Sequence, residues 1–154
     1  MNTTFHERSS WVSLLATAVI AAWFFAQTIP LMSVEDLPQQ GGLKAYTAIS
    51  AVAVGLFVVV QVIGHIVAAV VSTPEDEDER DRKISLRGDQ VSGIVLGVGV
   101  ISTIGHVLAA SWFEDSTVAL LGSPFGVLNL LVGSLALAEI ARCLTQIILY
   151  RCDA

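Results

Sequence analysis

Residues 11–32 read WVSLLATAVIAAWFFAQTIPLM, a run without a single Asp, Glu, Lys or Arg. At a rise of 1.5 Å per residue, about 20 such residues make a helix that crosses a hydrocarbon core about 30 Å thick. Arg8 precedes the run, as a basic residue precedes the apolar part of a secretory signal. Yet the apolar stretch continues through Trp23, Phe24 and Phe25, beyond the usual length of such a part, and no clear cleavage site follows. The run therefore reads as a retained membrane span.

Three further blocks repeat it, at about 45–71, 91–113 and 122–150, the last with an apolar lead-in from Val118. Of 154 residues, 54% are hydrophobic and only 14% charged, and the mean hydropathy is +0.71. A soluble domain needs about a quarter charged residues to keep its surface wet, so this is an integral membrane protein with no room for a separate soluble domain. Helices are the expected form. Open strands would leave backbone groups unpaired in lipid, and the alternation of a membrane barrel is absent. The expected fold is all-α, an integral membrane four-helix bundle running up-down-up-down as one transmembrane domain over 1–154. The outer connections SVEDLPQQGGLK and EDSTVALLGSPFG carry Pro and Gly and read as turns between antiparallel neighbours.

Basic residues orient the bundle. Arg8 lies before the first span, Arg80, Arg82, Lys83 and Arg87 lie in the loop 72–90, and Arg151 ends the fourth span, while only Lys44 lies in an outer connection. The positive-inside rule then places both termini and the middle loop in the cytoplasm, in a prokaryotic inner membrane. The net charge of −6 leaves this orientation intact, because acidic residues contribute little to it. The same acidity excludes nucleic acid as an expected partner. Cys143 and Cys152, near the cytoplasmic end of the fourth span and without C-x-x-C spacing, read as free thiols.

The middle loop, STPEDEDERDRKISLRGDQ, has the marks of a short charged helix leading into the third span. Ser72 or Thr73 can cap it and Pro74 suits its first position. Asp76–Arg80, Asp78–Arg82 and Glu79–Lys83 are spaced i to i+4, acid first, which is the more favourable order. Two readings stand side by side: a solvated linker whose charges fix topology, or a docking surface for a cytoplasmic partner built on Arg80, Arg82, Lys83 and Arg87.

The segment DERDRKISLRGDQVSGIVL, with its acidic DER-D-R stretch, its Ile and its Arg ahead of an apolar span, resembles an uncharacterised family of small prokaryotic four-helix integral membrane proteins, a domain of unknown function. The tail AEIARCLTQIILYR resembles that family's ending, in which an acidic and a basic residue precede a Gln and a terminal Tyr-Arg. Cys152 stands where the family carries a second basic residue, so this cytoplasmic anchor is the weaker. The resemblance covers about a fifth of the chain. It implies fold and topology and no activity.

Ionisable groups at membrane depth mark the candidate sites. Counted from the cytoplasmic ends of their spans, His65 lies about 10 Å in, Gln61 about 16 Å, Arg142 about 13 Å and Glu139 about 18 Å. Gln61, His65 and Ala68 share one helix face, and Glu139, Arg142 and Gln146 share another, with Asn129 and Ala136 extending the stripe. A buried cluster of Gln61, His65, Glu139 and Arg142 is one expectation. The other has Arg142 snorkelling to the headgroups with Glu139 as its single partner.

His106, about 25 Å into the third span, is expected to form an outer-half polar layer with Gln27 and to point into the bundle toward a neighbouring helix. Gly93 and Gly97 form a small-xxx-small pair that, with Gly99, would admit a neighbouring helix closely. The phrases VIGHIVAAV (62–70) and TIGHVLAAS (103–111) repeat Ile-Gly-His, but in spans of opposite direction. Their rings are separated by about 10 Å or more along the membrane normal, which excludes a single haem held by both.

No nucleophile, P-loop, zinc or dinucleotide motif is present, so neither an enzyme, nor a metal, nor a cofactor is expected. The expected role is a non-enzymatic accessory, sensory or regulatory component. The bilayer, other copies of the chain or a membrane complex would be its partners. A small proton- or ion-translocating unit using His65, Glu139 and Arg142 is the alternative, and a haem- or pigment-binding subunit the third.

Overall fold

The apolar blocks form helices. A computed structural model of the chain describes residues 5–32, 40–71, 79–110, 112 and 123–152. Four helices run through them: α1 (Phe5–Met32), α2 (Gln40–Val71), α3 (Glu79–Ala110) and α4 (Pro124–Cys152). Three of them carry a stretch long and apolar enough to cross a membrane: Ser9–Leu31, Glu79–Ala110 and Pro124–Cys152. In α2 the apolar stretch among described residues is the shorter Lys44–Val60.

Helix ends follow local chemistry. Ser123 precedes Pro124, and its side-chain oxygen accepts from the amide of Gly126 at 3.1 Å, while its carbonyl accepts from Val127 at 2.8 Å. A Ser cap followed by Pro at the first helical position starts α4 at 124, two residues inside the sequence estimate. At the other end of the same connection α3 ends at Ala110, and the Trp112 amide closes a turn on the Ala109 carbonyl at 3.0 Å. The charged residues of the middle loop from Glu79 onward belong to α3 itself, in one helix with the span. Ser72 to Asp78, and with them the expected cap and the acids of two of the three i,i+4 pairs, lie outside the described residues. The third pair forms, Glu79 with Lys83 at 2.8 Å.

Packing is centred on α1 and α4. The pairs α1–α2, α1–α4 and α3–α4 make the main contacts. Ser10 of α1 meets Gln146 of α4, and Thr28 meets Asn129, so α1 and α4 run antiparallel. Gly88 meets Gln146 and Gly99 meets Ser134, so α3 and α4 run antiparallel too. Phe24, Ala53 and Val132 form the core, with Phe25, Ile49, Phe57 and Leu128 packed around them. Phe24 and Phe25 meet edge to face at 5.3 Å between centroids. At the start of α2, the Tyr46 hydroxyl donates to the Phe125 carbonyl at 2.8 Å, and the two rings meet edge to face. This gives the buried phenol the partner it needs.

The glycines sort differently from expectation. A Cβ on Gly99 would lie 2.2 Å from the Ser134 oxygen, and one on Gly88 would lie 2.9 Å from the Gln146 side chain. Gly93 and Gly97 have nothing within 4 Å of that position. The small-xxx-small pair thus faces away from α4, and Gly99, one of the three glycines of that expectation, is the point of close approach.

Candidate functional site

A polar seam joins α1 to α4 along the stripe Ser10, Ser13, Thr17, Phe24, Thr28, residues spaced so that they recur on one side of α1. Ser10 donates to the Gln146 side-chain oxygen at 2.9 Å. Ser13 donates to Glu139 Oε1 at 3.3 Å. Thr28 contacts Asn129 Oδ1 at 2.9 Å and donates as well toward the Phe24 carbonyl of its own helix. The apolar core closes over the seam between its inner and outer polar ends.

Its inner end is the candidate site. Glu139 Oε1 receives Arg142 Nη2 at 2.5 Å, the Ser13 hydroxyl, and the Cys143 thiol at 3.7 Å. Three donors therefore converge on one carboxylate oxygen. Both members of the pair are largely buried, their side chains 14% exposed for Glu139 and 21% for Arg142. Arg142 also reaches toward α3, with Nη1 3.9 Å from Asp89 Oδ1. Asp89 is 56% exposed, so the cluster grades from wet to dry between α3 and α4. Two polar atoms of the region, Arg142 Nε and Thr17 Oγ1, are buried with no hydrogen-bond partner among the described residues. Thr17 stands one turn, about 6 Å, along α1 from Ser13. At the same end Arg151 lies over the Trp11 ring at 5.7 Å, joining the last turn of α4 to α1.

Of the four residues expected here, the structure brings Glu139 and Arg142 together. Gln61 and His65 lie on α2, and their side chains are outside the described residues. The Arg142 guanidinium is turned to Glu139 and toward Asp89 and is mostly buried. Ser13 and Asp89 complete the cluster and were not anticipated. The signal for Ser13 was the Ser10–Ser13–Thr17 spacing on α1. Asp89 carried none, since one span's sequence does not state which face of the next it meets.

The expected outer-half layer rests on Gln27 and His106. Gln27 is exposed on α1. His106 Nδ1 bonds the Ser102 carbonyl at 2.8 Å, within its own helix, and α1 and α3 pack on α4 rather than on each other. Because a carbonyl only accepts, Nδ1 carries the proton and the imidazole is satisfied by the preceding turn. Arg80, Arg82, Lys83 and Arg87 are all exposed on the first turns of α3. Cys143 is buried and Cys152 exposed, both as free thiols.

No protein-family model, curated protein or solved structure matches the chain.

Proposed function

We propose that the chain is a non-enzymatic component of a prokaryotic cytoplasmic membrane, with four spans up-down-up-down and both termini cytoplasmic. It acts as an accessory, sensory or regulatory subunit through lateral contact with other membrane chains. The observation that carries this reading is the openness of α3. That helix packs on α4 along one line and leaves Ile94, Val98, Ile101, Ile104 and Leu108 exposed, while its charged first turns present Arg80, Arg82, Lys83 and Arg87. In a bilayer such a face meets either lipid or another chain. The antiparallel contacts of α1 with α4 and of α3 with α4 support the alternating order. The loop and tail segments that resemble the small prokaryotic four-helix family are consistent with it.

Purification in a mild detergent, followed by mass measurement of the intact complex, tests the reading. Stoichiometric co-purification of other membrane chains, or a defined oligomer, is the expected result. A monomer with lipid alone sinks it.

The translocating alternative has one observation in its favour, the buried Glu139–Arg142 pair reached from Asp89. Against it stands the core of Phe24, Ala53 and Val132, which interrupts the polar seam before Thr28 and Asn129. A route across one chain would have to pass this apolar layer.

A further inference from the structure

We propose that Glu139 is a proton-binding site reached from the Asp89 side, and that its occupancy decides whether Arg142 pairs within α4 or across to α3. This goes beyond the accessory role and does not depend on which partner the chain has.

The inference rests on how one guanidinium is shared. Arg142 Nη2 sits on Glu139 at 2.5 Å, and Nη1 is 3.9 Å from Asp89, at the outer edge of an ion pair. The two carboxylates lie on different helices and differ in exposure, 14% for Glu139 against 56% for Asp89. A proton arriving from the aqueous side passes the exposed Asp89 first and ends on the enclosed Glu139.

When Glu139 takes it up, the carboxylate becomes a neutral acid and Arg142 loses its countercharge. A buried guanidinium left alone is strongly unfavourable, so it moves to the nearest remaining anion among the described residues. That anion is Asp89, and closing the gap of 3.9 Å to ordinary ion-pair contact needs only side-chain rotation. Charge balances in both states: Glu139 carboxylate with Arg142 and a solvated Asp89, or neutral Glu139 with Arg142 on Asp89. The proton comes from water and returns to it.

Two further observations fit a site built to change partners. Arg142 Nε is buried without a hydrogen-bond partner among the described residues, which leave that corner of the fork unsatisfied. Thr17 Oγ1 is likewise buried and unpartnered, one turn along α1 from the Ser13 that donates to Glu139. It offers a hydroxyl for a water molecule or for a rearranged carboxyl group. Among the described residues, the groups that face Glu139 include Ser13 from α1, Arg142 and Cys143 from α4, and Asp89 from α3 through Arg142. His65 is the titratable residue of α2 in the same half by sequence position.

Two measurements on the full chain in lipid vesicles test this. The first is pH-difference infrared spectroscopy of protein labelled with carbon-13 glutamate. A protonated-carboxyl band that carries the isotope shift and grows as pH falls is expected, and Glu139→Gln should remove it. No such band in the folded protein, or a band retained in Glu139→Gln, overturns the site. The second compares Asp89→Asn in two backgrounds. In the wild-type chain at neutral pH it should shift the unfolding temperature little. In the Glu139→Gln chain, which holds the site neutral, the same change should lower it by several degrees, because Arg142 then lacks both carboxylates. Equal shifts in the two backgrounds overturn the exchange of partners while leaving proton binding to the spectroscopy.

Discussion

Glu139 and Arg142 are tolerable in their largely buried positions because they are together, and removing one is not symmetric with removing both. Arg142→Met leaves an enclosed carboxylate with Ser13 and Cys143 as its remaining described donors. Breaking a buried pair in this way costs about 3–5 kcal/mol. Asp89→Asn, at a half-exposed position 3.9 Å from the guanidinium, costs less than about 1 kcal/mol. Reversible unfolding in mixed detergent micelles distinguishes the two; similar values would mean that burial contributes little at Glu139. Thr28→Val removes the contact to Asn129 at the outer end of the seam. An interhelical bond of this kind contributes about 0.6–1.7 kcal/mol, so the variant should be measurably but mildly weaker in the same assay. At this scale the sequence was legible within a helix: the three-residue spacing of Glu139 and Arg142 is sufficient to pair them. It was illegible between helices, which is why Ser13 and Asp89 emerged only once α1 and α3 were placed against α4.

Among the elements, the α3–α4 contact is the most sharply defined by what it forbids. A methyl group on Gly99 would overlap Ser134, whose hydroxyl is held by the Leu130 carbonyl at 2.7 Å and whose Cβ lies only 2.5 Å from the added atom. Backbone separation is then required, and overpacking of this kind costs about 1–3 kcal/mol. The helix-propensity gain of Ala over Gly, up to about 1 kcal/mol, does not offset the upper part of that range. At Gly93 and Gly97 no overlap exists, so Gly93→Ala and Gly97→Ala should be neutral or stabilising by up to about 1 kcal/mol. Unfolding of the three single variants decides the point; a loss at Gly93 or Gly97 matching that at Gly99 would show that another surface covers them. The glycine pattern alone points to the pair four apart, because spacing says that a face is small without saying what lies opposite. Length and composition, by contrast, were enough for the helices but not for their ends: α1, α2 and α3 begin at Phe5, Gln40 and Glu79, ahead of their apolar runs, while a cap sets the start of α4 and a turn follows the end of α3. Ser123→Ala removes one such cap and should cost about 1 kcal/mol, read as fraying of α4's first turn by amide hydrogen exchange.

Across the whole molecule, helices packed on α1 and α4 put the polar cluster and the cationic ends of α3 and α4 at one end and the Tyr46–Phe125 and Thr28–Asn129 contacts at the other. The basic residues and the proposed proton-binding group therefore share a side, which the proposed orientation places in the cytoplasm. The two native thiols test this arrangement without any substitution. Cys152 is exposed in the last residues of α4, about two and a half turns (about 14 Å) along the helix from Cys143, which is buried against Glu139. A membrane-impermeant maleimide should label Cys152 in inverted vesicles and leave it untouched in intact cells. The labelled chain should carry one adduct while folded and two after denaturation in detergent, because Cys143 becomes reachable only when α1 separates from α4. Labelling of Cys152 from outside would invert the orientation, and with it the side from which Glu139 is reached. Two adducts on the folded chain would show that water and reagent already enter between α1 and α4, and that the pairing of Glu139 with Arg142 does not depend on exclusion of solvent.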